Sequence, residues 1–237
     1  MSFFNTFLDL VLPRRCAICD RELTSEELHL CNICLVDLRP IRWDSTDDNP
    51  AIRTLWGLND VERAGSALVY GHSLPHFSVF IHFKYGHYPQ LARHITRHLF
   101  PYWQDRGLAD GVDYIVPIPL HWRRRLSRGY NQSEWIARGV SDVTGIPVNT
   151  HILRRIRNNP TLTHISADER QKNTNHIFGI SARCPVLDHR TILLVDDVLT
   201  TGATLTDGIR AIHDKYPNAH IRVFTLGFTQ SNDFVKP

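Results

Sequence analysis

The chain has 237 residues, 27 Lys+Arg against 24 Asp+Glu and 42% apolar residues. This balance fits one moderate core plus a smaller appendage and excludes a disordered or fibrous protein. No run of 18 apolar residues occurs, so no helix is predicted to span a membrane.

The first segment, residues 2–12, lacks a positive leader region and carries Asp9 inside its apolar run, which argues against a secretory signal and for a cytoplasmic protein. As a helix it places Phe3, Phe4, Phe7, Leu8 and Val11 on one side, a face for docking to a core or a partner. Only Arg14 and Arg15 flank it, too little basic charge for a membrane-surface helix. Four of the five cysteines then follow as Cys16-x2-Cys19-x11-Cys31-x2-Cys34. Two such knuckles let four thiolates converge on a tetrahedral Zn²⁺, and the short segment between them needs a staple to fold. With sulfur at all four positions no place is left for a bound water, so the zinc is structural. In a reducing compartment disulfides are the lesser alternative. Cys184, alone before Pro185, reads as a small buried residue.

The polar stretch 44–49 predicts a boundary near residue 45 and a division into 1–44 and 45–237. Asn49 and Pro50 read as N-cap and first residue of a short helix through Trp56. Residues 64–70 are strand-like, and 75–83 and 88–103 read as helices interrupted at Gly86. A buried strand at 112–118 ends in Pro117-x-Pro119, helical periodicity returns over 131–144, and 147–153 predicts a further strand. Residues 191–195 form an apolar run of parallel-strand type, followed by a polar loop, a helix from about 203 to 216 and a strand over 220–228. Strands alternating with helices predict an α/β domain with a parallel sheet.

The net charge of +3 is unevenly placed. Between His121 and Arg157 lie Arg123, Arg124, Arg125, Arg128, Arg138, Arg154, Arg155 and Arg157 against only Glu134 and Asp142. Such a field suits a polyanionic ligand, or else forms a solvated loop and helix face.

In an open parallel sheet the ligand site lies beyond the carboxyl ends of the strands. Here that is the stretch after Val195: Asp196-Asp197-Val198-Leu199-Thr200-Thr201-Gly202-Ala203-Thr204. Thr200, Thr201, Gly202 and Thr204 offer amides and hydroxyls at a helix N-terminus, where unpaired donors and the macrodipole favour a phosphate monoester. Gly202 allows close backbone approach. Asp196 and Asp197 would repel that phosphate, so they call for another partner, either the vicinal hydroxyls of a sugar or Mg²⁺; a simple capping pair is the plain alternative. Together these groups describe a ribose 5-phosphate cradle. Neither a P-loop nor a G-x-G-x-x-G after a strand is present, which excludes the commoner nucleotide folds.

The stretch 192–204 resembles the PRPP-binding motif of type I phosphoribosyltransferases. The chain as a whole resembles the ComF/GntX family: the four-cysteine knuckle, Lys84-Tyr85-Gly86, Val116-Pro117-Ile118-Pro119-Leu120, Arg128-Gly129-Tyr130-Asn131-Gln132-Ser133, then Arg170-x2-Asn173 before Phe178, then the PRPP loop. The resemblance implies a type I phosphoribosyltransferase fold beside a small zinc-ribbon-like module. It implies that Thr200, Thr201, Gly202, Ala203 and Thr204 bind the 5-phosphate, that Asp196 and Asp197 act at the ribose hydroxyls in catalysis, and that Pro119, Leu120 and Arg128 meet the pyrophosphate. Mg²⁺ bridging pyrophosphate and sugar oxygens would be the second cofactor beside zinc. The implied activity is transfer of phosphoribose to a nitrogen nucleophile with release of pyrophosphate. The alternative is a non-catalytic nucleotide- or single-stranded-DNA-associated protein in DNA uptake, with the uptake machinery as partner, and a homo-oligomer is compatible with either. One departure stands out: where the family pattern has Gln a few residues before Ser166-x3-Arg170-x2-Asn173, this chain has Leu162, which implies a different acceptor preference or activity.

Several residues carry two readings. Asn131 serves either as N-cap of the following helix or as a substrate contact. Lys84 either reaches a phosphate or, as lone lysines usually are, is solvated. His94 and His98 share a helical face without a third ligand and are assigned to the helix surface. Trp122, Trp135 and Tyr130 stack on bases or, more ordinarily, pack in a core.

Overall fold

The structure is a computed structural model that describes residues 13–38, 40–56, 61–120, 125–126, 128–156 and 177–229. The N-terminal helix expected at 2–12, Arg123, Arg124, Arg157, Trp122, Leu162 and the Arg170-x2-Asn173 element lie outside these residues.

In chain order the elements are α1 (Asn32–Asp37), α2 (Pro50–Thr54), β1 (Val61–Val69), α3 (Phe77–Tyr85), α4 (Pro89–Leu99), α5 (Pro101–Gln104), β2 (Tyr114–Pro117), α6 (Gln132–Thr144), β3 (Leu153–Arg155), β4 (Phe178–Ile180), β5 (Thr191–Leu199), α7 (Ala203–His213) and β6 (His220–Phe228). Local chemistry sets many of the ends. Asn49 Oδ1 accepts from the amides of Ala51 (2.9 Å) and Ile52 (3.1 Å), with Pro50 at the first helical position of α2. Pro89 and Pro101 open α4 and α5. Gly145, at φ +75°, ends α6 in the left-handed conformation.

The main sheet has strand order β1-β6-β5-β2 with every pair parallel. Alternation along β5 and β6 splits the core into two layers. Ile192, Leu194, Ile221 and Val223 pack with Ile52, Leu205 and Ile209 from α2 and α7. Leu193, Val195, Phe224 and Leu226 pack with Phe80, Leu91, Ile95 and Ile136 from α3, α4 and α6. Burial on both faces is why β5 opens as the apolar run Ile192 to Val195 and why β6 is largely apolar, interrupted by the buried Arg222 and Thr225; truncating one such apolar side chain to Ala costs about 2–5 kcal/mol.

Expectations for four elements are corrected. The helix expected at 88–103 divides at Phe100, before Pro101, into α4 and α5. The strand expected at 147–153 is reduced to a single bridge, Ile115 to Val148, and regular pairing starts at Leu153, antiparallel to β4 in a separate two-stranded sheet. Strand β5 does not stop at Val195. Its backbone keeps register with β6 through Asp196↔Thr225 and Leu199↔Phe228, so the acid pair belongs to the strand. Apolar patterning ends at Val195, but ladder bonding depends on the backbone. Helix α7 closes at His213, short of Tyr216.

The zinc module packs into this scaffold. Cys16, Ala17, Leu30, Cys31 and Leu38 share the apolar cluster of α3 and α4. His29 Nδ1 lies 2.5 Å from the Tyr88 hydroxyl, and its ring meets His94 edge-on at 5.4 Å between centroids. His94 is therefore not a surface residue: it is half-buried, and burial, followed by the neighbouring His29, lowers its pKa to about 4. His98 is exposed, as expected.

Candidate functional site

Two sites emerge, one built on sulfur and one at the carboxyl end of β5. In the first, the Sγ atoms of Cys16, Cys19, Cys31 and Cys34 all lie within 4.8 Å of one another, with Cys19 and Cys31 at 3.7 Å. Tetrahedral Zn–S bonds of about 2.3 Å require edges of about 3.8 Å, so the four thiols fit zinc. Burial works against the Cys31 thiolate, yet the Cys34 amide and thiol, Arg21 and Cys19 bring its pKa down to about 6. Burial and the surrounding thiols push Cys34 up. A cluster that resists full ionisation by itself is one that a cation would complete.

Around the thiols sits a residue that the spacing of cysteines does not reveal. Glu27 is 4% exposed, and its carboxylate accepts from the amides of Thr24 and Asn32, both at 2.8 Å, and from Arg21 at 2.6 Å. Those two amide bonds, ahead of the Arg21 charge, hold its carboxyl below the usual range against desolvation. Thr24-x-x-Glu27 is a capping-box pattern, a signal present in the sequence. By bonding Asn32 beside Cys31, Glu27 fixes the approach of the second knuckle.

The second site begins where β5 ends. Asp196, Val198, Leu199 and the loop Thr200, Thr201, Gly202, Ala203 and Thr204 line an open hollow of about 210 Å³ together with Leu205. Thr200, Thr201, Ala203 and Thr204 are exposed. Gly202, at φ +77°, is the N-cap of α7, and among the described residues no side chain caps that helix, so its first-turn amides stand at the hollow's rim without intrahelical partners. The glycine is needed for a reason other than ligand approach: a Cβ there would lie 3.0 Å from Leu55 Cδ2 and 3.4 Å from the Thr54 carbonyl. Helix α2 thus backs the loop.

The two acids differ. Asp196 as a residue is partly exposed, but its carboxyl group is enclosed by protein, where burial, and then the Asp197 charge, push its pKa up to about 7. Its Oδ1 accepts from Ser133 Oγ (3.0 Å) and from the Asp197 amide (2.8 Å). Asp197 Oδ2 instead pairs with Lys84 Nζ at 3.1 Å. Both carboxylates are already engaged, Asp196 by Ser133 and the Asp197 amide and Asp197 by Lys84, so a cation binding there would displace these donors.

The remaining candidates are placed as follows. Pro119 and Leu120 follow β2 and are half-buried. The segment before them is anchored on both sides, Ile118 N to Val195 O at 2.9 Å and Asn131 Nδ2 to Ile118 O at 2.9 Å. Asn131 is 4% exposed and its Oδ1 accepts from Ser133 N, so it acts as the cap of α6. The Arg128 guanidinium lies over the Tyr85 ring, 4.9 Å from its centroid, and the Tyr130 hydroxyl donates to Phe83 O at 2.5 Å. This ties the Arg128 turn to the end of α3, with no described contact to the threonine loop. Trp135 packs against the core under Arg138. Cys184 is partly buried, and burial raises its thiol pKa. Sequence reasoning missed Ser133 as a partner of Asp196, although it ends the Arg-Gly-Tyr-Asn-Gln-Ser block.

Residues 128–231 match the family model of the phosphoribosyl transferase domain, and residues 7–45 match that of the double zinc ribbon domain. A zinc ribbon ahead of a parallel-sheet phosphoribosyl transferase domain is the class that fold and thiol geometry define. Within that class the relatives it is similar to include competence proteins of the ComF type, in keeping with the resemblance of its ordered motifs. It is 29% identical to competence protein F of Haemophilus influenzae over 144 residues, 59% of this chain and 63% of that protein. It is 27% identical to the DNA utilization protein YhgH of Escherichia coli over 213 residues, 84% of this chain and 90% of that protein. It is 29% identical to competence protein ComFC of Bacillus subtilis over 115 residues, 47% of this chain and 43% of that protein. The matched parts thus span less than two thirds of the Haemophilus and Bacillus proteins. Among the described residues no helix is long and apolar enough to cross a membrane.

Proposed function

We propose that the chain is a cytoplasmic phosphoribosyltransferase that binds PRPP at the carboxyl end of β5 and passes its phosphoribosyl group to a nitrogen nucleophile, releasing pyrophosphate. On this reading residues 1–44 are the zinc module and 45–237 the PRPP-binding unit. The observation that carries it is the adjacency of two unlike groups: an acid pair, Asp196 and Asp197, that accepts hydrogen bonds, and an exposed threonine loop at a helix N-terminus that donates them.

The division of labour follows from charge. Amides of the first turn of α7 and the hydroxyls of Thr200, Thr201 and Thr204 receive the 5-phosphate. Asp196 and Asp197 accept from the ribose diol and sit near the positive charge that develops at C1 as the bond to pyrophosphate breaks. Pro119, Leu120 and Arg128 form the pyrophosphate side, with Arg128 as its cation. Mg²⁺, if bound together with PRPP, would supply part of the charge neutralisation beside Arg128. The test is pyrophosphate release that requires PRPP and Mg²⁺ and disappears in Asp197→Ala, screened across nucleobases and ammonia; absence of release with every acceptor contradicts turnover.

The names of the relatives favour a second reading, in which the same site binds without turnover in DNA uptake or use. It predicts affinity for single-stranded DNA that falls steeply with salt, the mark of several phosphate contacts. Binding that ignores salt would contradict it.

A further inference from the structure

Lys84 stands in the last turn of α3 with its side chain only 14% exposed. Its Nζ is 3.1 Å from Asp197 Oδ2 and 5.2 Å from the centroid of the Tyr70 ring, so an anion and an aromatic face bracket the ammonium. The position is built by packing. Helix α3 presses on the end of β6, where a Cβ at Gly227 would lie 2.8 Å from Phe80 Cε1, and the Tyr130 hydroxyl holds Phe83 O. Exposed lysine pairs contribute little because a flexible stem must be ordered. This one is ordered by the elements around it.

The pair bears directly on what the site can accept. Asp197 Oδ2, while held by Lys84, is a poorer acceptor for a sugar hydroxyl. A diol that takes this oxygen displaces the ammonium, and a displaced ammonium in a partly buried site needs a second anion. Resting on the function proposed above, we propose that Lys84 is a positioning residue that changes partner: it neutralises Asp197 in the ligand-free site, then passes to the diphosphate of PRPP as the ribose diol takes Asp197. The exchange favours a pentose that brings an anion at C1 over the bare pentose phosphate. Ribose 5-phosphate must break the same ion pair and offers nothing in return.

The experiment is calorimetric titration of PRPP and of ribose 5-phosphate into the zinc-loaded chain, its Lys84→Met and Lys84→Arg variants, with thermal unfolding of each. Lys84→Met is expected to lower the preference for PRPP over ribose 5-phosphate by roughly ten- to a hundredfold, the worth of a hydrogen bond between charged groups, while ribose 5-phosphate binds as before or more tightly. Lys84→Arg recovers most of that preference. Should Lys84→Met fail to fold, Lys84→Gln carries the same comparison. An unchanged preference for PRPP in Lys84→Met, with both ligands moving equally or not at all, overturns the exchange and leaves the proposed site standing. A wild-type chain that binds neither ligand overturns the proposed function and the exchange with it.

Discussion

Ser133 and Asp196, 63 positions apart, meet at 3.0 Å, hydroxyl to carboxylate. The contact joins the first turn of α6 to the end of β5 and gives the enclosed acid a donor that favours its anion. Ser133→Ala therefore raises the Asp196 pKa further above about 7. Carboxyl-carbon NMR titration reads this directly, and an unmoved midpoint would contradict it.

Asp196 also makes stability depend on pH. Its folded pKa, about 7, stands above the unfolded value of about 4. Between those values the native state holds a proton that the unfolded chain has lost, so stability falls as pH rises through this window and levels off above it. The full conversion of the shift is about 4 kcal/mol at most. In urea denaturation between pH 5 and pH 8, Asp196→Asn should show a flatter dependence than the wild type. A wild-type profile that is already as flat would contradict the assignment.

Glu27 supports the zinc site without touching zinc. Glu27→Ala leaves the Thr24 and Asn32 amides and Arg21 without their shared acceptor. Loss of such an outer partner lowers metal affinity by about ten- to a hundredfold. Chelator competition measures it, and unchanged affinity would contradict the role. The wild type should hold one zinc per chain by metal analysis.

Helices α4 and α6 touch at Gly139, where a Cβ would lie 2.6 Å from Thr96 Cβ and 2.8 Å from the Arg93 carbonyl. Beside that contact Arg93 grips Asp142 through two bonds of 2.6 and 2.7 Å. Gly139→Ala gains up to about 1 kcal/mol of helix propensity but forces the helices apart, at about 1–3 kcal/mol. A net fall in Tm is expected; a rise would show that the interface yields easily.

The sequence was most legible where chemistry is local. The cysteine spacing, the Asn49-Pro50 cap, the apolar run that opens β5 and the helix start after Gly202 each depend on a few neighbouring residues, and the structure brings the four thiols together and forms the cap, the strand and the helix where the sequence puts them. Pairings made by the fold were hidden. Nothing near Lys84 in the chain points to Asp197, and nothing near Ser133 points to Asp196, because α3, α6 and β5 are brought together only by the sheet order. The extension of β5 through two aspartates was hidden for another reason: hydrophobic pattern reports which side chains are buried, whereas the ladder to Thr225 and Phe228 is made by the backbone. His94 was misread because its cover comes from the zinc module, through His29.

The central claim is that a phosphorylated pentose binds at the threonine loop beside the acid pair. Calorimetric titration of PRPP with Mg²⁺ into the wild type and into Thr201→Glu tests it most directly. Thr201 is exposed, so the fold tolerates the change, while a carboxylate there repels the 5-phosphate. One saturable site per chain in the wild type and none in Thr201→Glu is the predicted result; no binding to the wild type, or equal binding to both, would contradict it.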